Sequence, residues 1–199
     1  MVTRMNLLAF NHGLQKRREP HRIAGFTLLE LLVVMTIVGV LMAIAVPSYQ
    51  YVTSANRISS EVNGLLGDMQ YARSEAIKEG QTVTVCSSTN PTAPAPTCSG
   101  TPTWQTGWIV FSDVNGDGTV NGGDTILRVQ RAFSFGDTFN ANNAMHAVTF
   151  NREGFALGLA NTVTVTLHAQ VPTVGSTRCL AITIVGQLTT ETAGTGGCA

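Results

Sequence analysis

An unbroken apolar run near the N-terminus constrains this chain more than any other feature. Residues 26–46 read FTLLELLVVMTIVGVLMAIAV, with Glu30 as the single charge. A helix rises about 1.5 Å per residue, so the run can cross a hydrocarbon core of about 30 Å. Residues 1–25 carry five basic residues and one acidic residue, a net charge of +4. The positive-inside rule therefore predicts a single-pass membrane protein with a cytoplasmic N-terminus. If the chain is bacterial, the membrane is the inner membrane and the C-terminal domain is periplasmic.

Glu30 decides how this apolar run is interpreted. A cleaved secretory signal or a plain N-terminal anchor would also explain such a run, and Ala43-Ile44-Ala45 offers a small-x-small cleavage site. Neither of these needs a carboxylate, which costs about 2.5–3.5 kcal/mol inside an apolar segment on insertion scales. A charge within the membrane is expected to have a function and a partner. The carboxylate therefore argues against both simpler interpretations.

The residues around Glu30 resemble a known processing signal. The sequence GFTLLE at 25–30, after a basic leader and before a long apolar run, is similar to the class III signal of type IV pilins and type II secretion pseudopilins. The resemblance implies that a prepilin peptidase cleaves between Gly25 and Phe26 and N-methylates Phe26. It also implies that Gly39 and Pro47 are positions at which the helix bends.

The same resemblance supplies a partner for Glu30. Cleavage would create an α-amine on Phe26 within the bilayer, and Glu30 could meet the amine of a neighbouring subunit. In a low dielectric such a pair is strong, and either charge is costly to leave alone. The pair would set the axial register of subunits in a helical filament. Pairing of Glu30 with the amine of its own chain is the alternative.

A second periodic segment follows Pro47. Apolar residues recur at spacings of three and four over 52–77, which predicts an amphipathic helix. The helix should run from about Phe26 to Glu79, with Gly80 as its stop. A coiled coil over 52–77 is the alternative. The opposite, polar face is predicted to carry Asn56, Arg57, Ser60, Glu61, Asp68, Glu75 and Glu79.

Two shorter stretches indicate a particular subfamily within the pilin-like proteins. ARSEAI at 72–77 and WQTGWIVFSD at 104–113 are similar to runs in GspH/FimT-type minor pilins and the type II secretion pseudopilin H. The resemblance covers residues 22–131 well and the last third of the chain weakly. It implies an α+β, pilin-like fold, in which a long N-terminal helix packs on an antiparallel, sandwich-like β-domain. The implied partners are other pilins or pseudopilins, the prepilin peptidase and an inner-membrane assembly platform.

Beyond Gly80 the pattern changes to period two and β-branched residues, with Gly, Asn, Thr and Pro in the intervals. The predicted strands are 82–87, 107–112, 125–133, 147–151, 162–168 and 180–185. The predicted organisation is a cleaved cytoplasmic leader (1–25), a transmembrane assembly half of the helix (26–46), an amphipathic half (47–79) and a periplasmic β-domain (80–199).

All four cysteines fall on the predicted periplasmic side, which is an oxidising compartment. Four cysteines allow three pairings, and proximity in sequence favours Cys86–Cys98 and Cys179–Cys198. The first would close a proline-rich loop and the second would hold a Gly/Thr-rich tail. Each closure is worth about 3 kcal/mol in the entropic account. Zinc binding is the rival, but the spacings include no CxxC.

An acidic loop at 113–124, DVNGDGTVNGGD, fits part of an EF-type calcium pattern. Its twelfth position is Asp rather than Glu, and its flanks are predicted to be strands rather than helices. The same residues can form a plain hairpin loop through Asx turns, so both interpretations stay open. The candidate Ca²⁺ ligands are Asp113, Asn115, Asp117, Thr119 and Asp124.

Neither catalysis nor strong nucleic-acid binding is indicated. No nucleophile–base spacing, phosphate-binding loop or HExxH motif is present, so no catalytic residue is assigned. Phosphate binding needs an excess of cations, whereas this chain has 12 basic and 12 acidic residues. Gln187 also stands where DNA-binding FimT-like pilins have an arginine. The predicted function is a minor pilin or pseudopilin near the tip of a type II secretion pseudopilus or type IV pilus; a DNA-binding minor pilin for natural transformation is the alternative.

Overall fold

The computed structural model describes residues 25–170 and 176–198. The predicted leader, apart from Gly25, lies outside the described residues. The chain divides into two compact units, residues 1–44 and residues 45–199. Helix α1 (Leu28–Glu79) begins in the first unit and ends in the second.

The ends of α1 follow from local chemistry. The helix begins at Leu28, two residues later than predicted, because the hydroxyl of Thr27 accepts a hydrogen bond from the free backbone N–H of Glu30 at 3.1 Å. At the other end Gly80 has φ +70°, and its N–H donates to the carbonyl of Ala76 at 3.0 Å. A glycine tolerates this left-handed conformation, so it ends the helix as predicted.

Only the later part of α1 has a buried face. Its buried residues are Ser54, Ile58, Val62, Leu65, Met69, Ala72 and Ala76. These positions recur every three or four residues, which places them on one side of the helix. The predicted amphipathic pattern therefore describes this part of α1, although its outermost apolar residues, Val52 and Ile77, remain exposed.

Among the described residues of the second unit, nine strands form two antiparallel sheets. The first sheet has the order β3-β2-β1-β5-β6 and the second has the order β4-β7-β8-β9. The strands are β1 (Val83–Ser87), β2 (Gly107–Ser112), β3 (Thr125–Arg131), β4 (Thr138–Ala141), β5 (Ala147–Phe150), β6 (Ala156–Leu157), β7 (Val163–His168), β8 (Thr177–Ile182) and β9 (Leu188–Thr192).

The strand prediction was wrong in two ways. The last predicted strand, 180–185, ran too far, because Ile184 and Val185 are exposed and belong to the turn after β8. That turn is closed by the N–H of Gly186, which donates to the carbonyl of Thr183 at 2.9 Å. Strands β4 and β6 were not predicted because they have only four and two residues, and β9 was not predicted because LTTET is rich in threonine and lacks an apolar alternation.

The main core lies between α1 and the inward-facing residues of both sheets. It includes Trp104, Trp108, Phe139 and Phe150, all fully or almost fully buried. Every residue of β1 and β2 is buried, because the first sheet is covered on both faces. A second small cluster of Cys86, Ile109 and Phe111 fills its other face.

Two disulfides fix the periphery of the domain. Cys86 pairs with Cys98 and Cys179 with Cys198, each with 5.6 Å between Cα atoms. These are the pairings that proximity in sequence favours. The first ties the proline-rich loop to the central strand β1, and the second ties the C-terminal tail to β8.

Candidate assembly site

The candidate processing and assembly residues lie at the start of α1. Gly25 and Phe26 precede the helix, and both are exposed. Glu30 lies in the first helical turn, three residues after the capping Thr27. A threonine cap followed by an acidic residue three positions later is a known helix-start signal. The helix dipole also favours a negative charge near the helix N-terminus. This pattern was readable in TLLE and was overlooked in the sequence.

The apolar segment, residues 26–46, is not covered by any other described residue of the chain. Every residue from 25 to 53 is exposed, including Gly39 and Pro47. The helix is long and apolar enough to cross a membrane, with a mean hydropathy of 2.7 in its most apolar window. Among the described residues Glu30 has no ion-pair partner. An apolar helix surface of this length requires lipid or other helices around it.

The later part of α1, by contrast, is tied to the β-domain by polar contacts. The guanidinium of Arg57 donates two hydrogen bonds to Asp137, with N–O distances of 2.6 and 2.9 Å. The Asp137 side chain is fully buried, and the backbone N–H of Gln170 also donates to it at 2.8 Å. The hydrogen bond to Asp137 raises the pKa of Arg57 above its ordinary value. A bidentate pair of this kind fixes orientation as well as distance.

A second polar contact lies about three turns further along α1. Asp68 accepts hydrogen bonds from the indole N–H of Trp108 at 2.9 Å and from Arg128 at 3.1 Å. The Arg128 guanidinium also lies over the ring of Tyr71, 3.7 Å from its centroid. Arg57 and Asp68, predicted on a solvent-facing side of the helix, therefore flank its buried face and hold it to the sheets. The mistake arose because hydropathy alone cannot show which charges have buried partners.

Glu61 is the exception among these polar residues. It is half-buried, and its Oε2 atom has no hydrogen-bond partner in the described part of the chain. Burial and the nearby charge of Asp137 raise its pKa to about 7, although Arg57 opposes part of this effect. At neutral pH a carboxylate in this position is only partly ionised.

Arg73, within the ARSEAI stretch, packs into a notch made by two glycines. A Cβ atom on Gly186 would lie 3.2 Å from its Nε, and one on Gly154 would lie 3.0 Å from it. Its Nη2 donates to the carbonyl of Val185 at a long 3.4 Å. This arginine therefore touches two loops of the β-domain.

The acidic loop satisfies its own carboxylates. Asp113 is fully buried and accepts from the N–H of Gly116 at 2.8 Å, the N–H of Gly118 at 2.9 Å and the hydroxyl of Thr84 at 2.7 Å. The exposed Asp117 accepts from the hydroxyl and N–H of Thr119, which lowers its pKa.

The remaining candidate ligands are engaged in the same way. Asp124 accepts from the N–H groups of Val114 and Asn121, and the amide of Asn115 donates to Asp117. The described residues contain no group of three or more His, Cys, Asp or Glu side chains placed to hold a metal ion. This geometry favours the hairpin-loop interpretation over calcium binding.

Comparison with solved structures identifies the architecture. The crystal structure of the type IV minor pilin FimU of Pseudomonas aeruginosa matches with a TM-score of 0.53, over 68% of this chain and 89% of that one. Because the identity is 22%, the likeness shows the fold alone. This chain has a pilin-like fold, in which a long N-terminal helix is followed by antiparallel sheets.

Comparison with protein families identifies the family of the chain in addition to its fold. Residues 20–46 match the prokaryotic N-terminal methylation motif. Residues 61–187 match the family described as Type II transport protein GspH. This second match covers well over half of the chain, and the chain belongs to the GspH family.

Curated relatives resemble only part of this chain. A fimbrial protein of Pseudomonas aeruginosa is 39% identical over 59 residues, which are 30% of this chain and 38% of that protein. The type IV major alpha-pilin of Moraxella bovis is 43% identical over 58 residues, 29% of this chain and 36% of that protein. The chain thus spans less than two-fifths of the length of these relatives.

Proposed function

We propose that this protein is a minor pilin or pseudopilin, inserted in the inner membrane with its N-terminus in the cytoplasm. A prepilin peptidase cleaves it between Gly25 and Phe26 and methylates Phe26. An assembly platform then adds it near the tip of a type II secretion pseudopilus or a type IV pilus. The observation that carries the proposal is the exposed apolar segment, in which Glu30 has no ion-pair partner among the described residues of its own chain.

The proposed role of Glu30 follows from its position. In the first turn of α1, its carboxylate lies at the end of the helix where backbone N–H groups favour a negative charge. Cleavage places a cationic amine four residues away in sequence. A neighbouring subunit that brings its own Phe26 amine to Glu30 would neutralise both charges in a low dielectric, which couples helix packing to a fixed register.

Processing is tested by mass spectrometry of the protein recovered from membranes. We expect the mature chain to begin at methylated Phe26, and Gly25→Leu to retain the leader because the bulky side chain obstructs cleavage. Glu153→Ala, an exposed carboxylate in the β-domain, is the control and should be processed normally. A mature N-terminus at Val46 would instead indicate a secretory signal peptide.

Assembly is tested with Glu30→Ala in cells that make filaments. The substitution makes the apolar segment more apolar, so insertion and cleavage should be kept. Incorporation into sheared filaments should fall, on the order of tenfold, because one member of a desolvated pair is lost. Normal incorporation of Glu30→Ala would show that register does not depend on this pair.

Among the described residues, two of the four arginines of the β-domain are already paired with carboxylates. Arg128 is paired with Asp68, and Arg152 with Glu153. Cations already neutralised by carboxylates release few counterions when they meet phosphate. We therefore do not extend the proposal to nucleic acid.

A further inference from the structure

The surface cleft beside Glu61 combines a carboxylate with aromatic rings. Its volume is about 340 Å³, and it lies between α1 and the chain that leads from β3 to β4. Glu61 and Ser60 line it from the helix, and Trp108, Gln130, Phe133 and Phe135 line it from the β-domain. We call this the Glu61 cleft.

The charges around Glu61 do not balance within the chain. Arg57 and Asp137 neutralise each other through their two hydrogen bonds, so an ionised Glu61 leaves one net negative charge. Among the residues that the structure describes, its Oε2 atom has no hydrogen-bond donor. The charged groups that face Glu61 from the packed elements are Arg57 on its own helix and Asp137 before β4.

Three of the other basic side chains of the described domain are paired with carboxylates, Arg73 lies against Gly154 and Gly186, and Arg178 lines a separate cavity with Glu191. Lys78 pairs with Glu75, Arg128 with Asp68, and Arg152 with Glu153. Arg131 follows Gln130 in strand β3, so its side chain points to the opposite face of the sheet. The chain therefore offers no second cation to Glu61 from these residues.

The rings of the cleft suit a cation rather than an apolar group. Arg57 already lies over the Phe135 ring, 4.6 Å from its centroid, and Phe135 is more than half exposed. A cation between a carboxylate and an aromatic face gains from both the charge and the ring quadrupole. An apolar side chain would bury the carboxylate further without giving it a donor.

We propose that the Glu61 cleft receives a lysine or arginine side chain from a neighbouring pilin subunit. The proposal rests on the proposed function, because it requires neighbours in a filament. The incoming cation would donate to Glu61 and cover Phe135. It would thereby complete a contact that the isolated chain leaves unsatisfied.

The first test uses the mature full chain in detergent and N-acetyl-arginine amide as the probe. The indole N–H resonance of Trp108 should shift as the probe is added, at about pH 8 where Glu61 is ionised. Affinity should fall about fivefold or more in Glu61→Gln, and also at about pH 5.5, because the carboxylate is then neutral. Glu153→Gln should bind the probe as the wild type does. Equal shifts in all variants would overturn the proposal.

The second test places the photo-crosslinking residue p-benzoylphenylalanine at position 135 in filament-producing cells. The crosslinked peptide should come from another pilin and contain a lysine or arginine beside the linked residue. The adduct should fall about tenfold in Glu61→Gln and persist in Glu153→Gln. A peptide without a basic residue, or an adduct insensitive to Glu61→Gln, would overturn the proposal. If the wild type is absent from filaments, the proposed function fails instead, and the probe titration alone decides on the cleft.

Discussion

The two parts of α1 have different surroundings, although both belong to one continuous helix. In the apolar segment, Leu32 is 57% exposed; in the later part, Leu65 is completely buried. The apolar segment is hydrophobic on all sides, whereas residues 47–79 concentrate their buried residues on one side. A helix that is apolar all round needs surroundings that its own chain does not supply, and an amphipathic helix completes a core. The comparison supports the proposal that one part of α1 serves assembly, whereas the other part completes the core of the domain.

The largest expected effect comes from making the same substitution at two leucines, one in each part of α1. Leu65→Ala removes a fully buried side chain from the core and should lower the unfolding free energy by about 2–5 kcal/mol. Leu32→Ala makes the same chemical change in the apolar segment and should leave domain stability within about 0.5 kcal/mol. Thermal unfolding of the detergent-solubilised chain, followed by the near-ultraviolet circular dichroism of its tryptophans, measures both. Equal destabilisation by the two variants would contradict the assignment.

The next effect concerns the ion pair that holds the later part of α1 to the β-domain. Asp137→Ala leaves Arg57 and the N–H of Gln170 without their acceptor. We expect a loss of about 2 kcal/mol, below the range for fully buried pairs because the Arg57 side chain is 27% exposed. The matched control is Glu75→Ala, which removes a helix-surface pair with Lys78 and should cost about 0.3–0.5 kcal/mol. Unfolding curves in urea compare them, and similar losses would show that the Arg57 pair contributes no more than a surface pair.

A smaller effect is expected in the pH dependence of stability, which reports on Glu61 in the later part of α1. The pKa of Glu61 is raised to about 7 in the folded chain, so the native state binds its proton more tightly than the unfolded state does. Stability contributed by this group is therefore present at low pH and falls as pH rises between about 4.5 and 7. Glu61→Gln should stabilise the isolated chain by about 1 kcal/mol above pH 7, after allowance for solvent screening, and change it little below pH 4.5. Melting temperatures across this range measure the difference, and a pH-independent effect would contradict this origin.

The smallest expected effect lies off the helix, in the acidic loop. Because Asp113, Asp117 and Asp124 already accept hydrogen bonds within the loop, millimolar Ca²⁺ should shift the melting temperature by less than about 1 °C. Calcium bound to the native state at 100 times its dissociation constant would instead add about 2.7 kcal/mol. A rise of several degrees that Asp117→Ala abolishes would restore calcium binding.

The sequence predicted what depends on local patterns. Hydropathy located the apolar segment and the buried stripe of α1, and the β-branched runs located the central strands β1 and β2. The Cys86 and Cys179 pairings followed from proximity along the chain. These features are encoded by neighbouring residues, so a single sequence contains them.

The features that the sequence did not reveal depend on contacts between distant residues. Arg57 and Asp137 are separated by 80 positions, and only the fold places one on the other. The unpaired state of Glu61 likewise appears only when every neighbour is known. Strand β9 was missed because LTTET offers no apolar alternation, and it is defined by its pairing with β8. Long-range partners decide such features, and hydropathy carries no information about them.

The most direct test of the account compares thiol accessibility along α1 before and after assembly. Ile37→Cys places a thiol in the apolar segment, and Gln70→Cys places one on an exposed position of the later part. The native cysteines are all in disulfides, so each variant carries one reactive thiol. A maleimide should label both in the detergent-solubilised chain. In sheared filaments, Ile37→Cys should be protected at least about tenfold while Gln70→Cys remains reactive, because neighbouring helices cover only the apolar segment. Equal labelling of Ile37→Cys in both states would contradict the central claim.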